Sequence, residues 1–219
     1  MRRFFDILFP PREDEAALRD VLDDDFLSLV APRLAGATRP GTVVLLPFSH
    51  SSVRAAIHEA KYHGNERAFQ LLARALAEYL RAGDGPRAQK TVVVPVPLGS
   101  ARRRERGFNQ IEETARRAIG SLGGEGERSF ILEPDLLTRT RETASQVSLP
   151  RHEREENMRG AFTASQKLRG ASGAAHPADP DTLYLLIDDV LTTGATLQAA
   201  VDALRAAGAE HIIPLALAH

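Results

Sequence analysis

The stretch Leu183-Tyr-Leu-Leu-Ile-Asp-Asp-Val-Leu-Thr-Thr-Gly-Ala-Thr-Leu197 ends an apolar run in two adjacent carboxylates, Asp188 and Asp189. Hydroxyls, a glycine and an Ala-rich helical pattern follow. Carboxylates accept hydrogen bonds from sugar hydroxyls, whereas a helix start offers unpaired N–H groups and partial positive charge to an anion. Thr192, Thr193 and Thr196 add hydroxyl donors, and Gly194 permits close approach of backbone and anion. The turn from Val190 and Leu191 through Ala195 to Thr196 therefore suits a ligand carrying both groups. A sugar 5-phosphate fits, with its hydroxyls at the acids and its phosphate over Thr193–Thr196. The plainer alternative is an Asp-capped helix behind a Thr-rich turn, which would spend two strand-end carboxylates on one cap.

A second segment carries the opposite charge. The run Val92-Val-Val-Pro-Val-Pro-Leu98 leads into Gly99, Ser100 and Ala101, then into Arg102, Arg103, Arg104 and Arg106. Guanidinium groups bind diphosphates bidentately and never lose their charge. The alternative is a solvated basic helix start, although a basic first turn opposes the helix dipole. Arginine runs also bind nucleic acid, but only one aromatic residue, Phe108, interleaves here. The whole chain balances 28 basic against 29 acidic side chains, a net charge of −1. That is not the excess of a dedicated nucleic-acid binder, so direct DNA binding is disfavoured.

The elements that must position these groups alternate. Strand patterns are expected at residues 42–48, 91–98, 130–132, 183–187 and 211–218, with 91–98 apolar on both faces and therefore central and parallel. Helical periodicity covers 53–63 (capped by Ser51 or Ser52 and stopped by Gly64), 65–81, 111–119 and 195–207, with Gly208 just past the last. Strands alternating with helices imply βαβ units and an α/β fold with a mainly parallel sheet. The acid pair then falls at the carboxyl end of a strand, where open α/β sheets bind ligands. Residues 20–30 read as one short acidic helix, 136–160 as an extended surface segment and 167–181 as a mobile loop. The Asp23-Asp24-Asp25 run reads as a solvated turn.

A chain of 219 residues should bury roughly 70% of its unfolded surface, so a core is expected without staples. There is no Cys, which excludes disulfides and thiolate zinc sites. No apolar run reaches the ~20 residues of a bilayer span. The apolar stretch near Met1 is short, broken by Asp6 and ended by Pro10-Pro11, unlike a signal peptide. A cytoplasmic protein is the expectation. The seven histidines include no pair at metal-binding His-x3-His spacing and read as surface or satisfied side chains.

The segment 183–197 resembles the phosphoribosyl-pyrophosphate motif of type I phosphoribosyltransferases. With Val94-Pro-Val-Pro-Leu98 and Arg106-Gly-Phe-Asn-Gln110, the chain is similar to the ComF family (competence protein F). The resemblance implies a type I phosphoribosyltransferase fold over residues 42–219, with residues 1–41 as a divergent hood or packing segment. By that resemblance Asp188 and Asp189 hold the ribose hydroxyls and stabilise positive charge on the ring, and Val190 to Thr196 wrap the 5-phosphate. Leu98, Gly99, Ser100 and Ala101, with Arg102 and Arg106, form a pyrophosphate loop containing a non-proline cis peptide near Leu98–Ser100. Arg139, Arg141 and Gln146 belong to a loop that closes over the ligand. Lys61-Tyr-His-Gly64 resembles a family Lys-Tyr-x-Gly element, which without the family reads as a helix end. The implied cofactor is Mg²⁺, held mostly by ligand oxygens and water, with Asp188 and Asp189 its candidate protein contacts. Two roles remain open: transfer of phosphoribosyl to an unread acceptor, or non-catalytic binding of that ligand or of competence and DNA-processing proteins. Many ComF-type chains carry a Cys-rich zinc ribbon at the amino end, a module that this Cys-free sequence cannot form.

Overall fold

The computed structural model describes residues 12–82, 91–124, 129–140, 158–165 and 182–219. The expected loop at 167–181, together with Arg141 and Gln146, lies outside them. The sheet runs β1-β2-β8-β7-β3-β4, from β1 (Arg33–Ala35), β2 (Thr42–Leu46), β3 (Thr91–Pro95), β4 (Phe130–Leu132), β7 (Leu183–Val190) and β8 (His211–Ala218). All pairings are parallel except that of β1 with β2. A separate antiparallel pair joins β5 (Leu137–Arg139) to β6 (Phe162–Ala164).

Period-two side-chain alternation splits the core into two layers. Leu185, Ile187, Leu215, Leu217 and Val93 face one side; Tyr184, Leu186, Ile212, Ala216, Val92 and Val94 face the other. On the first face pack α1 (Glu13–Arg19), α2 (Asp23–Leu27), α3 (Ser51–His63), α4 (Glu66–Ala82) and α6 (Gln110–Gly120). The second face is covered by α7 (Ala195–Ala206) and the β5–β6 pair. In α7 the buried residues Leu197, Ala200, Val201 and Leu204 recur at helical spacing, which is why the Ala-rich pattern folds as a helix against the sheet. Gly208, at φ 104°, ends it, as the sequence predicts.

Several expectations need correction. The region 20–30 is not one helix. The chain breaks after Asp20, the Val21 carbonyl accepts from Arg67 Nη2 (2.6 Å), and the break lets both Leu18 and Phe26 reach the core. Residues 33–35 add an antiparallel edge strand that three residues of sequence could not reveal. Helix α3 begins at Ser51, so His50 is its N-cap and neither serine caps it. Within 136–160, Leu136, Leu137 and Met158 are fully buried in the second layer, so that part is no surface segment. Among the described residues the cis peptide is Arg39–Pro40, so Leu98–Ser100 is trans. Gly99 turns the chain there with ordinary dihedrals, φ −62° and ψ 152°.

The order of connections fixes where a ligand site can form. From β3 the chain moves outward to β4, and from β7 it moves the other way to β8. The crevice between their carboxyl ends is the topological switch point of the sheet.

Candidate functional site

Register brings the two charged motifs together. Pro95 pairs with Ile187, and Val96 N continues the ladder to the Ile187 carbonyl at 2.9 Å. The turn from Leu98 to Ala101 therefore leaves the sheet beside Asp188 and Asp189. The strand runs past the acids: Asp188 pairs with Ala216 and Val190 with Ala218. The carboxylates thus project from the final ladder steps, a firmer mount than the free tip that the sequence suggests.

The two acids have different surroundings. Asp189 is buried, and its Oδ2 meets Lys61 Nζ at 2.8 Å and accepts from Gln110 Nε2 at 2.7 Å. Its Oδ1 accepts from Val190 N at 2.7 Å. Asp188 is half-buried; its Oδ1 accepts from Asp189 N at 2.9 Å, and its Oδ2 takes no hydrogen bond from the described residues. Burial and the adjacent Asp189 charge push the Asp188 carboxyl up, to about 7, against the fields of Lys61 and Arg139. Burial acts on Asp189 in the same direction, but Lys61 and Gln110 outweigh it and hold that carboxyl below the usual range. One acid is committed inward, and the other keeps an oxygen facing out.

The turn after them divides as well. Val190 and Leu191, expected to face a phosphate, spend their N–H groups internally, on Asp189 Oδ1 and the Ala218 carbonyl. Leu191 is buried in the second core layer. Ala195 N leans on Thr193 Oγ1 at 3.4 Å. Among the described residues no acceptor takes the N–H groups of Thr192, Thr193, Gly194, Thr196 or Leu197, the last two because they lie in the first turn of α7. Gly194 sits at φ 81°, and a Cβ there would stand 2.7 Å from the Ala37 carbonyl. The close neighbour that the glycine admits is thus the 36–41 loop. That loop is fastened by Arg39 N to Gln198 Oε1 (2.7 Å) and by Arg205 Nη1 to the Arg39 carbonyl (2.9 Å).

On the basic side, Ser100–Arg106 forms a helix of its own, α5. Arg103, Arg104 and Arg106 fall in its last turn, so they complement the helix dipole, contrary to the sequence expectation. Arg102, Arg103 and Arg104 are exposed. Arg106 turns inward, with Nη1 donating to Gln110 Oε1 at 3.3 Å and its guanidinium 4.9 Å from the centre of the Tyr62 ring. Asn109 caps α6 through Ile111 N and donates to the Val96 carbonyl, which fixes Gln110 beneath Asp189. Arg139, on β5, lies close enough for its charge to be felt at Asp188, its guanidinium held over the Phe162 ring.

Sequence reasoning quoted both Lys61, as part of a family element or a helix end, and Gln110, but it gave neither a role at the acids. The available signal was the pair of helices between β2 and β3. One helix suffices for a parallel crossover, and α4 makes that return. Helix α3 therefore starts and ends at the carboxyl edge, which delivers Lys61 to Asp189 and Tyr62 to Arg106.

No curated protein matches the chain. The family model described as phosphoribosyl transferase domain matches residues 58–219, which include Lys61, the basic turn, the acid pair and the loop after it. With the α/β sheet and the switch-point site, that match establishes that the chain belongs to the phosphoribosyl transferase domain family.

Proposed function

We propose that the chain binds phosphoribosyl pyrophosphate in the crevice between β3 and β7 and transfers its phosphoribosyl group to a nitrogen acceptor. The reading rests on one observation above all. Adjacent parallel strands set an acid pair beside an arginine-bearing turn, with unpaired amides one turn further on. The ribose hydroxyls meet Asp188 Oδ2, and the 5-phosphate meets the N–H groups and hydroxyls of Thr192 to Thr196. The diphosphate lies over Leu98 to Ala101, within reach of Arg102 and Arg106, with Arg139 approaching from the β5 side.

Transfer asks the protein for charge more than for covalent chemistry. The bond from C1 to the diphosphate oxygen breaks, the electron pair leaves on the diphosphate, and positive charge develops on the ring. The acceptor nitrogen attacks C1 and gives up a proton. Arg102 and Arg106 stabilise the leaving group, and the negative charge of the acid pair favours the cationic ring. Mg²⁺ is the metal that accompanies such a diphosphate, and it would neutralise the leaving group when bound there. The acid pair fits it poorly as a cage. Both Asp189 oxygens are occupied, which leaves one unclaimed oxygen on Asp188, whereas Mg²⁺ asks for six ligand oxygens. The metal in this reading rides on the ligand.

Calorimetry with phosphoribosyl pyrophosphate and Mg²⁺, followed by pyrophosphate release across a panel of nucleobases and amines, tests the proposal. Binding with release supports it. Absence of binding to the folded chain removes it, and tight binding without turnover on any acceptor replaces the transferase with a ligand sensor. Within the family, the motifs Val94–Leu98 and Arg106–Gln110 support a ComF-like branch and a role in DNA uptake. Deletion of the gene in a naturally transformable host should then lower transformation.

A further inference from the structure

Two carboxylates on consecutive residues repel each other, and burial makes each charge costlier. Such a pair needs a cation. Here it is Lys61, delivered by the last turn of α3, with Nζ 2.8 Å from Asp189 Oδ2 and its side chain only 24% exposed. The contact is not a lone surface bridge. Gln110 donates to the same oxygen while accepting from Arg106, and Arg106 stacks on Tyr62, the residue after Lys61. The ammonium, the acid and the basic helix form one connected set.

We propose that Lys61 is the resident cation of the acid pair: it holds Asp189 so that a pentose phosphate binds at Asp188 and the 192–196 turn with no divalent ion. Any Mg²⁺ requirement then belongs to the diphosphate end alone. This rests on the site reading given above. Lys61 acts through Asp189 and is a positioning residue.

Ribose 5-phosphate, which lacks the diphosphate, is the probe. Titrated calorimetrically into the wild-type chain, it should bind with the same affinity in EDTA and in millimolar MgCl₂. Lys61→Met should weaken binding about tenfold in EDTA, the worth of one charge-assisted hydrogen bond, and MgCl₂ should restore part of the loss. Lys61→Arg should restore most of it in EDTA. A purely structural lysine would not give a defect that a divalent ion repairs. Wild-type affinity that collapses in EDTA overturns the proposal, as does Lys61→Met binding that equals wild type without metal. The wild-type arm decides even if Lys61→Met fails to fold. If phosphoribosyl pyrophosphate binds with Mg²⁺ while ribose 5-phosphate needs metal, only the role of Lys61 falls. If neither ligand binds under any condition, the site reading falls and the proposal with it.

Discussion

The two strand tips that meet at the crevice are built differently. At the end of β7, Asp189 is buried and fully partnered, and the following turn is clamped by the 36–41 loop. At the end of β3, the turn is relaxed, and Arg102, Arg103 and Arg104 stand exposed with no side-chain partner among the described residues. The acid pair is held by its own partners, whereas three arginines beyond the other tip stand in solvent. A preorganised half sets affinity for the part of the ligand it touches, because its ordering cost is met on folding. The exposed arginines add charge that salt screens.

The largest expected effect comes from emptying the preorganised half. Asp188→Asn with Asp189→Asn should weaken phosphoribosyl pyrophosphate binding roughly 100-fold, about two charge-assisted hydrogen bonds. The variant should still unfold cooperatively, since Asn keeps the shape. Calorimetry beside a melting curve checks both. Unchanged affinity in a folded double variant would move the ligand elsewhere.

Next comes the clamp. Gly194 is left-handed and has the Ala37 carbonyl in the place of a Cβ. Gly194→Ala should cost about 2 kcal/mol or more, counting the strained backbone alone at about 1–2 kcal/mol, and lower the melting temperature by roughly 4–8 °C. Gly99, at φ −62°, makes no such conformational demand. A Gly194→Ala melt that matches wild type would mean that the two turns are equally soft.

The basic half should respond more weakly and more selectively. Changing Arg102, Arg103 and Arg104 together to Gln should weaken phosphoribosyl pyrophosphate binding several-fold, more at low salt than at high. Ribose 5-phosphate affinity should stay as it was, and stability should change by about 0.5 kcal/mol or less, as for other surface changes. Equal losses for both ligands would erase the division of labour between the tips.

How much of this was legible in the sequence follows the same division. Elements that are both periodic and apolar read correctly: the last strand matches its expected bounds, and α7 ends one residue early. The acid pair and its loop read well because strand, acids, turn and helix are contiguous, so local order implies spatial order. Lys61 to Asp189 spans 128 positions in sequence, and no local pattern encodes that contact. The same holds for Ala37 against Gly194. Charged residues also read poorly on helices whose length was unknown. Arg103 and Arg104 looked like a first turn opposing the dipole until Gly107 closed α5 after seven residues.

The smallest effect tests the asymmetry within the acid pair itself. The Asp188 carboxyl is pushed up from near 4 to about 7 by burial and then by Asp189. A raised pKa means that the folded chain holds this proton more tightly than the unfolded chain. Its contribution to stability is full below pH 4 and is lost as pH rises through 7. Asp189, held low by Lys61 and Gln110, has the opposite sign: its contribution is present above pH 4 and is lost as pH falls. Between pH 4 and 7 the first contribution therefore fades while the second stays full. Asp188→Asn removes only the first, because Asn cannot ionise. The variant should melt close to wild type at pH 4 and roughly 2–4 °C above it at pH 8, about 1 kcal/mol for a chain of this size. A difference that stays flat across that range would show that Asp188 ionises freely in the folded state. The outward acid would then be an ordinary solvated carboxylate, and the contrast between the pair would reduce to Lys61 alone.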